Sequence, residues 1–340
     1  MTQFSIFIVN LYSHLLDKAM KDWYDHFIEI LHKKFPTKSQ LTAALVDLLS
    51  LERESVYRRL RKEIVFTSHE IGTIASAWNI SMDETLGTSS SKVMFLMHPI
   101  DYLTPSDADM DFLRQRGQWI EQLDDAPNSE YIVVCNNLSR SFSAGFSNLY
   151  KFNIFKWAYQ YCNAHNKDSN MTFAETVIPE KVLEEVVIYY KRMKHIKNTT
   201  YILDSMIFDS FVREIQYFHS IFLITDEEKK TLKEELHALL DYLSEVAKTG
   251  CFPETKNKVT LYVSILNINT NYSYFYDEKI ETFRIHAFNM FDSITNDSEM
   301  VGNFKEWIQK KRKTSVQISE VDERSRIQFF MKQRSLVDSL

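Results

Sequence analysis

From Trp23 to Gly87 the apolar positions recur at helical spacing, and polar or helix-breaking residues divide the stretch into five helices. Trp23, Phe27, Ile30, Leu31 and Lys34 fall near one stripe of the first, which stops at Pro36. Leu41, Leu45, Leu48 and Leu49 mark a second helix over about 39–49, with Thr37 or Ser39 as its N-cap. A third, about 53–62, has only Val56 and Leu60 as apolar anchors, one turn apart. Thr67-Ser68-His69-Glu70 opens the fourth, which turns Ile71, Ile74, Ala75 and Trp78 inward, and Ser81-Met82-Asp83-Glu84 opens the fifth. Both are S/T-x-x-E capping boxes, in which a hydroxyl takes an orphan backbone N–H and the Glu reaches back to another. Gly87 suits a helix end, and the small polar run Thr88-Ser89-Ser90-Ser91 is a linker over 88–92.

Beyond the linker the pattern mixes two periods. Val93–Met97 and Tyr131–Cys135 read as short buried strands, while 259–265 and 283–287 alternate with period two. The polar, Asn-rich connection between the last two suggests that they pair antiparallel. Helices are expected at 107–123, 148–163, 180–194, 205–223, 226–248, 297–313 and 321–334, covering one sheet. The predicted organisation is an extension or helix at 1–22, a helical domain at 23–87, and a mixed α/β domain at 93–340. Met20 offers a second possible start, which would make 1–19 dispensable.

Charge narrows the function. The 340 residues carry a formal net charge of −6, so nucleic acid would have to be held by a local basic surface. The six glycines are never closer than fifteen residues, which excludes a Gly-x-Gly phosphate loop, a Walker A loop and a Gly-x-Ser-x-Gly elbow. Cys135, Cys162 and Cys251 form no CxxC pair and read as free thiols of a reducing cytosol. Phe4 to Leu16 is too short and too polar to span a bilayer, and it lacks the marks of a signal peptide. A cytoplasmic protein without membrane contact is expected.

Leu45, Leu49, Leu51, Val56 and Leu60 are spaced as the anchors of two helices joined by a tight turn. The third helix then leaves Arg53, Glu54, Ser55, Tyr57, Arg58, Arg59, Arg61 and Lys62 outside. Residues 52–62 hold five basic and two acidic side chains, a local net of +3. A helix of this width fits the major groove, where arginine reads guanine bidentately. The stretch resembles the helix-turn-helix of phage repressors and Cro, the xenobiotic-response-element family of bacterial regulators. The likeness runs over about 37–87, through Phe66-Thr67-x-x-Glu70-Ile71, Ala75-x-x-Trp78-Asn79-Ile80-Ser81 and Asp83-Glu84-x-Leu86-Gly87. It departs at Ser50, where the family usually has Gly, at Glu52, where it has Ser or Thr, and at Val46, where it has a small residue.

The resemblance implies an N-terminal all-α, five-helix, repressor-like DNA-binding domain ahead of the α/β domain. It also implies a homodimer over a palindromic double-stranded DNA operator, with recognition helices about 34 Å apart. Arg53, Glu54, Ser55 and Arg58 are the candidate base contacts, and Lys38, Gln40, Tyr57, Arg59, Arg61 and Lys62 the candidate phosphate contacts. The C-terminal domain is expected to dimerise, to sense an unidentified small-molecule or protein effector, or both. The rival readings are an enzyme or small-molecule binder with an autoregulatory DNA-binding head, and a phage or toxin–antitoxin component. No catalytic Ser, paired carboxylates or nucleophilic Cys stands out, and Ser139-x-Ser141-x-Ser143 lacks a partnered His. Neither a cofactor nor a metal is expected, since Cys162-x-x-His165 has no second ligand pair. The aromatic face Leu149, Phe152, Phe155, Tyr159 and Cys162 suits core packing more than an effector pocket. The leucine seam Leu232, Leu236, Leu239, Leu243 and Val246 suits either a second subunit or packing within the chain. Lys310-Lys311-Arg312-Lys313 reads as a solvated helix end.

Overall fold

The computed structural model of the chain describes residues 23–340 except 79, 81, 86–92, 122–125, 139, 162–170, 279 and 288–290. The expectations for the 1–22 extension, the 88–92 linker, Gly87, Ser81, Ser139, Cys162 and His165 therefore lie outside the described residues. The chain divides into two compact units, Met1–Val93 and Met94–Leu340.

The described residues of the first unit form helices and their connections: α1 (23–34), α2 (Lys38–Leu49), α3 (Arg53–Leu60), α4 (Ser68–Trp78) and α5 (Met82–Thr85). Thr37, not Ser39, caps α2: its hydroxyl accepts from the Gln40 backbone N–H and donates to the Gln40 side-chain Oε1. The capping box at α4 forms as expected, with Glu70 N–H donating to Thr67 Oγ1 at 3.2 Å and Thr67 N–H to Glu70 Oε2 at 2.7 Å. Phe27, Leu31, Leu41, Leu45, Val56 and Ile74 are fully buried and form the centre of one core.

Among the described residues the second unit contains an eight-stranded mixed sheet in the order β1-β7-β6-β5-β2-β3-β4-β8. In chain order its elements are β1 (Leu96–Met97), α6 (Asp107–Glu121), β2 (Glu130–Cys135), α7 (Arg140–Ser143), α8 (Ser147–Tyr161) and α9 (Glu180–Met193). Then come β3 (Asn198–Asp204), α10 (Asp209–Ser220), α11 (Asp226–Thr249), β4 (Lys258–Ser264), β5 (Tyr272–Tyr276), β6 (Glu281–Ala287) and β7 (Phe291–Thr295). The chain closes with α12 (Ser298–Lys313), β8 (Ser315–Gln317) and α13 (Glu323–Asp338). Strands β2, β3 and β4 run parallel, and the outer strands are antiparallel to their neighbours. Parallel strands need cover on both faces. Along β2, Tyr131, Val133 and Cys135 face a core filled by α8, α10, α11 and α13, while Ile132 and Val134 face Val301, Phe304 and Ile308 of α12.

The expected antiparallel pairing of 259–265 with 283–287 does not occur. The connection between them contains β5, which pairs with β6 on one side and β2 on the other, Tyr274 lying opposite both Phe283 and Ile132. The asparagines hid a strand whose aromatic residues, not its turn-forming neighbours, decide its place. β4 is left to pair with β3 and β8. The leucine seam of α11 is satisfied within the chain: Leu232, Leu236, Leu239, Leu243 and Val246 are buried in the same core as Phe329, Phe330 and Val337 of α13. Leu149, Phe152 and Phe155 are likewise core, with the Phe152 ring 4.9 Å from Phe211 and the Phe155 ring 4.8 Å from Phe218. The basic end of α12 is only half solvated. Lys311 is buried and donates to the Leu266 and Asn267 carbonyls at 2.9 and 3.1 Å, and Arg312 donates to Thr200 Oγ1.

Candidate nucleic-acid interface

Three residues separate α2 from α3. The chain reverses there because Ser50 takes a left-handed conformation, φ 51° and ψ 39°, a region usually held by glycine at helix ends. Leu45 and Val56 are fully buried, and Leu49, Leu51 and Leu60 pack partly buried against the same core. With Val56 and Leu60 fixed inward, the 100° step per residue carries Glu54, Arg58 and Arg61 to the far side of α3. Their side chains are about half to two-thirds exposed: 69% for Glu54, 50% for Arg58 and 52% for Arg61.

The exposed cations are not bare. Arg61 donates to Glu54 at 2.9 Å and to Glu63 at 2.8 Å, and Arg58 lies 3.4 Å from Glu63. The hydrogen bond from Arg61 holds the Glu63 carboxyl below its ordinary pKa, and the two carboxylates raise that of Arg61. Lys62 pairs with Asp25 of α1 at 2.6 Å. Such solvent-exposed pairs are worth about 0–1 kcal/mol, so a phosphate can replace the carboxylate at little cost. They hold the cations in place without consuming them.

Arg59 differs. Its guanidinium reaches both oxygens of Glu70, at 3.1 and 2.9 Å, and Ser55 Oγ at 2.7 Å; the side chains of Arg59 and Glu70 are only 12% and 13% exposed. The Arg59 carbonyl also accepts from the Tyr24 hydroxyl, which in turn accepts from the Phe66 N–H. Burial raises the Glu70 pKa, but the Thr67 backbone N–H and Arg59 outweigh it and hold the carboxyl below its usual value. Arg59 thus ties α3 to the start of α4 and is placed inward, not at the surface where a phosphate contact was expected.

Of the remaining candidates, Arg53 is exposed with its guanidinium 5.9 Å above the half-buried Tyr57 ring, and Ser55 is half-buried beneath Arg59. Lys38 and Gln40 are exposed on the first turn of α2. Among the described residues no carboxylate pairs with Arg53 or Lys38. Sequence reasoning missed Asp25, Glu63 and the second role of Glu70. Glu63 directly follows the basic run and could have been counted against it, but only the fold brings Asp25 to Lys62.

Elsewhere, burial pushes the Cys135 thiol pKa up, which suits a core position rather than a nucleophile. Among the described residues no group of three His, Cys, Asp or Glu side chains is placed to hold a metal, and no helix is long and apolar enough to cross a membrane. No family model, curated protein or solved structure matches the chain.

Proposed function

We propose that the chain is a sequence-specific, double-stranded-DNA-binding transcription regulator that acts in the cytoplasm as a homodimer. The α2–α3 pair carries this reading: a left-handed Ser50, an apolar inner edge at Val56 and Leu60, and an outer face of Glu54, Arg58 and Arg61. In the major groove Arg53, Glu54, Ser55 and Arg58 would meet base edges, and Lys38, Gln40, Tyr57, Arg61 and Lys62 would meet phosphates. Arg59 is left out because Glu70 already holds it. The second unit supplies dimerisation, effector sensing or both. Selection of bound sites from random duplex by the full chain tests the proposal. The expected outcome is a palindrome with half-sites about one helical turn apart. A pool that stays random after repeated rounds rejects the reading.

A further inference from the structure

A chamber of about 590 Å³ opens in the second unit between the sheet and helices α9 and α11. That size lies within the range of about 300–1,000 Å³ usual for small-molecule sites. Its walls are mainly apolar, with Phe142, Leu239 and Val246 among them, and Tyr131, Tyr190 and Tyr201 contribute phenols. Among the described residues none makes a hydrogen bond to the hydroxyls of these three tyrosines, although Tyr131 and Tyr201 are buried. At the mouth, Glu254 is already engaged by Lys194 at 2.6 Å and by the Tyr242 hydroxyl at 3.2 Å.

Behind the tyrosines lies an unbalanced charge. Tyr190 also walls a small cleft with Arg116 and Arg140. Arg140 pairs with Asp292 at 3.0 Å and donates to the Tyr102 hydroxyl at 2.8 Å, and His286 Nδ1 approaches the same Asp292 oxygen at 2.8 Å. Arg116 lies 4.2 Å from the centre of the Tyr189 ring, and Arg284 donates to the Tyr189 hydroxyl at 3.4 Å. Burial opposes ionisation of Tyr189, yet the two guanidiniums hold its phenol below the ordinary pKa. Arg140 and His286 thus share the Asp292 carboxylate, while Glu185, which lines the same cleft as Arg116 and Arg140, lies 3.9 Å from Arg114. Among the described residues Arg284 Nε and His286 Nε2 are buried with no hydrogen-bond partner. Buried charge is costly unless paired, and among the described residues no carboxylate forms an ion pair with Arg116 or Arg284.

We infer that the chamber binds an anionic small molecule with an apolar body, its charged end turned towards Tyr131, Tyr190 and the arginines behind them. The apolar walls would hold the body, and the free phenols would donate to the anion. This takes up the sensing role proposed for the second unit, but its test reads ligand binding alone and is independent of any operator.

The full chain is titrated with anilinonaphthalene sulfonate, an apolar aromatic anion, and with the uncharged phenylnaphthylamine. The expected result is saturable binding of one sulfonate per chain, about tenfold tighter than the neutral amine. Leu239→Trp fills the chamber from its floor, and Gly145→Trp from its rim, where an added Cβ meets nothing within 4 Å. Each variant that keeps the native circular dichroism should weaken the sulfonate by at least about tenfold. Equal affinity for the two probes overturns the anionic class. Unchanged binding in Gly145→Trp overturns the location, and no saturable binding by either probe overturns the inference as a whole.

Discussion

Arg58 and Arg61 in the N-terminal unit face Glu63 across open solvent, whereas Arg140 in the second unit meets Asp292 where both side chains are about nine-tenths buried. The distances are similar, from 2.8 to 3.4 Å, but the surroundings are not. In water, Coulomb attraction at such a separation is about 1 kcal/mol, and side-chain entropy offsets most of it. Inside the protein the attraction is far larger, and so is the cost of losing a partner. An exposed cation can exchange its carboxylate for a phosphate, so α3 is suited to a reversible interface. A buried guanidinium cluster cannot exchange freely; it fixes its neighbours and holds a positive field at one place. Distance alone would have made these two arrangements look alike.

Removing the buried carboxylate should have the largest effect. Asp292→Asn leaves Arg140 and His286 without an anion and is expected to destabilise the second unit by about 3–5 kcal/mol in urea unfolding. Glu63→Gln, its exposed counterpart, should leave the unfolding midpoint of the first unit close to that of wild type, because solvent screens the pairs it removes. Burial raises the Asp292 pKa, but Arg140 and His286 more than offset it and hold the carboxyl well below 3.8. Its contribution is therefore present above the unfolded-state value and disappears as pH falls through the folded one. A loss under about 1 kcal/mol for Asp292→Asn would show that the guanidiniums are balanced elsewhere.

Arg59 and Glu70 bring a nearly buried pair into the otherwise solvent-facing unit, so they test burial apart from location. Glu70→Gln keeps the capping geometry at α4 but removes the charge that grips Arg59. The expected cost is about 1.5–3 kcal/mol, as for hydrogen bonds to charged groups. Glu70 has a lowered pKa, so the wild-type advantage holds above the unfolded-state value near 4.5 and is lost as pH falls below it. Thermal melts of wild type and Glu70→Gln should converge in that acid window. An undiminished gap there would mean that the carboxylate charge contributes nothing.

Arg58→Ala should weaken operator binding by about 1–3 kcal/mol and relax the sequence preference at one base pair. Its stability should match wild type, because only an exposed pair with Glu63 is lost. Arg59→Ala should show the reverse emphasis, with stability falling before any direct contact with DNA is at issue. If Arg58→Ala retains full affinity and selectivity in titrations at fixed salt, that residue is not a reader.

How far each unit could be read from the sequence follows from the range of its interactions. The helices of the first unit, and most of those in the second, announce themselves locally. Glu180–Met193 and Asp226–Thr249 lie within a residue of the expected 180–194 and 226–248 because periodicity and caps act over four residues. Asn198–Asp204 is not legible as a strand in the sequence, because Tyr201-Ile202-Leu203 is too short a run to separate strand from loop. It becomes a central strand only through Tyr131–Cys135 and Val259–Val263 on its two sides. The basic stripe of α3 was visible, but the carboxylates that pair with it were not all adjacent in sequence. Arg116, Arg140, Arg284 and Asp292 come from α6, α7, β6 and β7, so no local pattern could have assembled them.

The smallest expected effect concerns the turn that sets α3 in place. Ser50 has φ 51°, where a Cβ crowds the following carbonyl at a cost of about 1–2 kcal/mol. Gly relieves that clash but gives the unfolded chain more freedom to lose, which takes back about 0.5–1 kcal/mol. Ser50→Gly should therefore stabilise the first unit by about 0.5–1 kcal/mol, read as a rise in melting temperature. Operator affinity should not change, because Ser50 is not among the proposed contacts and Val56 and Leu60 still orient the helix. A fall in melting temperature would mean that the turn in solution is not left-handed. The outward placement of Glu54, Arg58 and Arg61, which depends on that turn, would then need a different support.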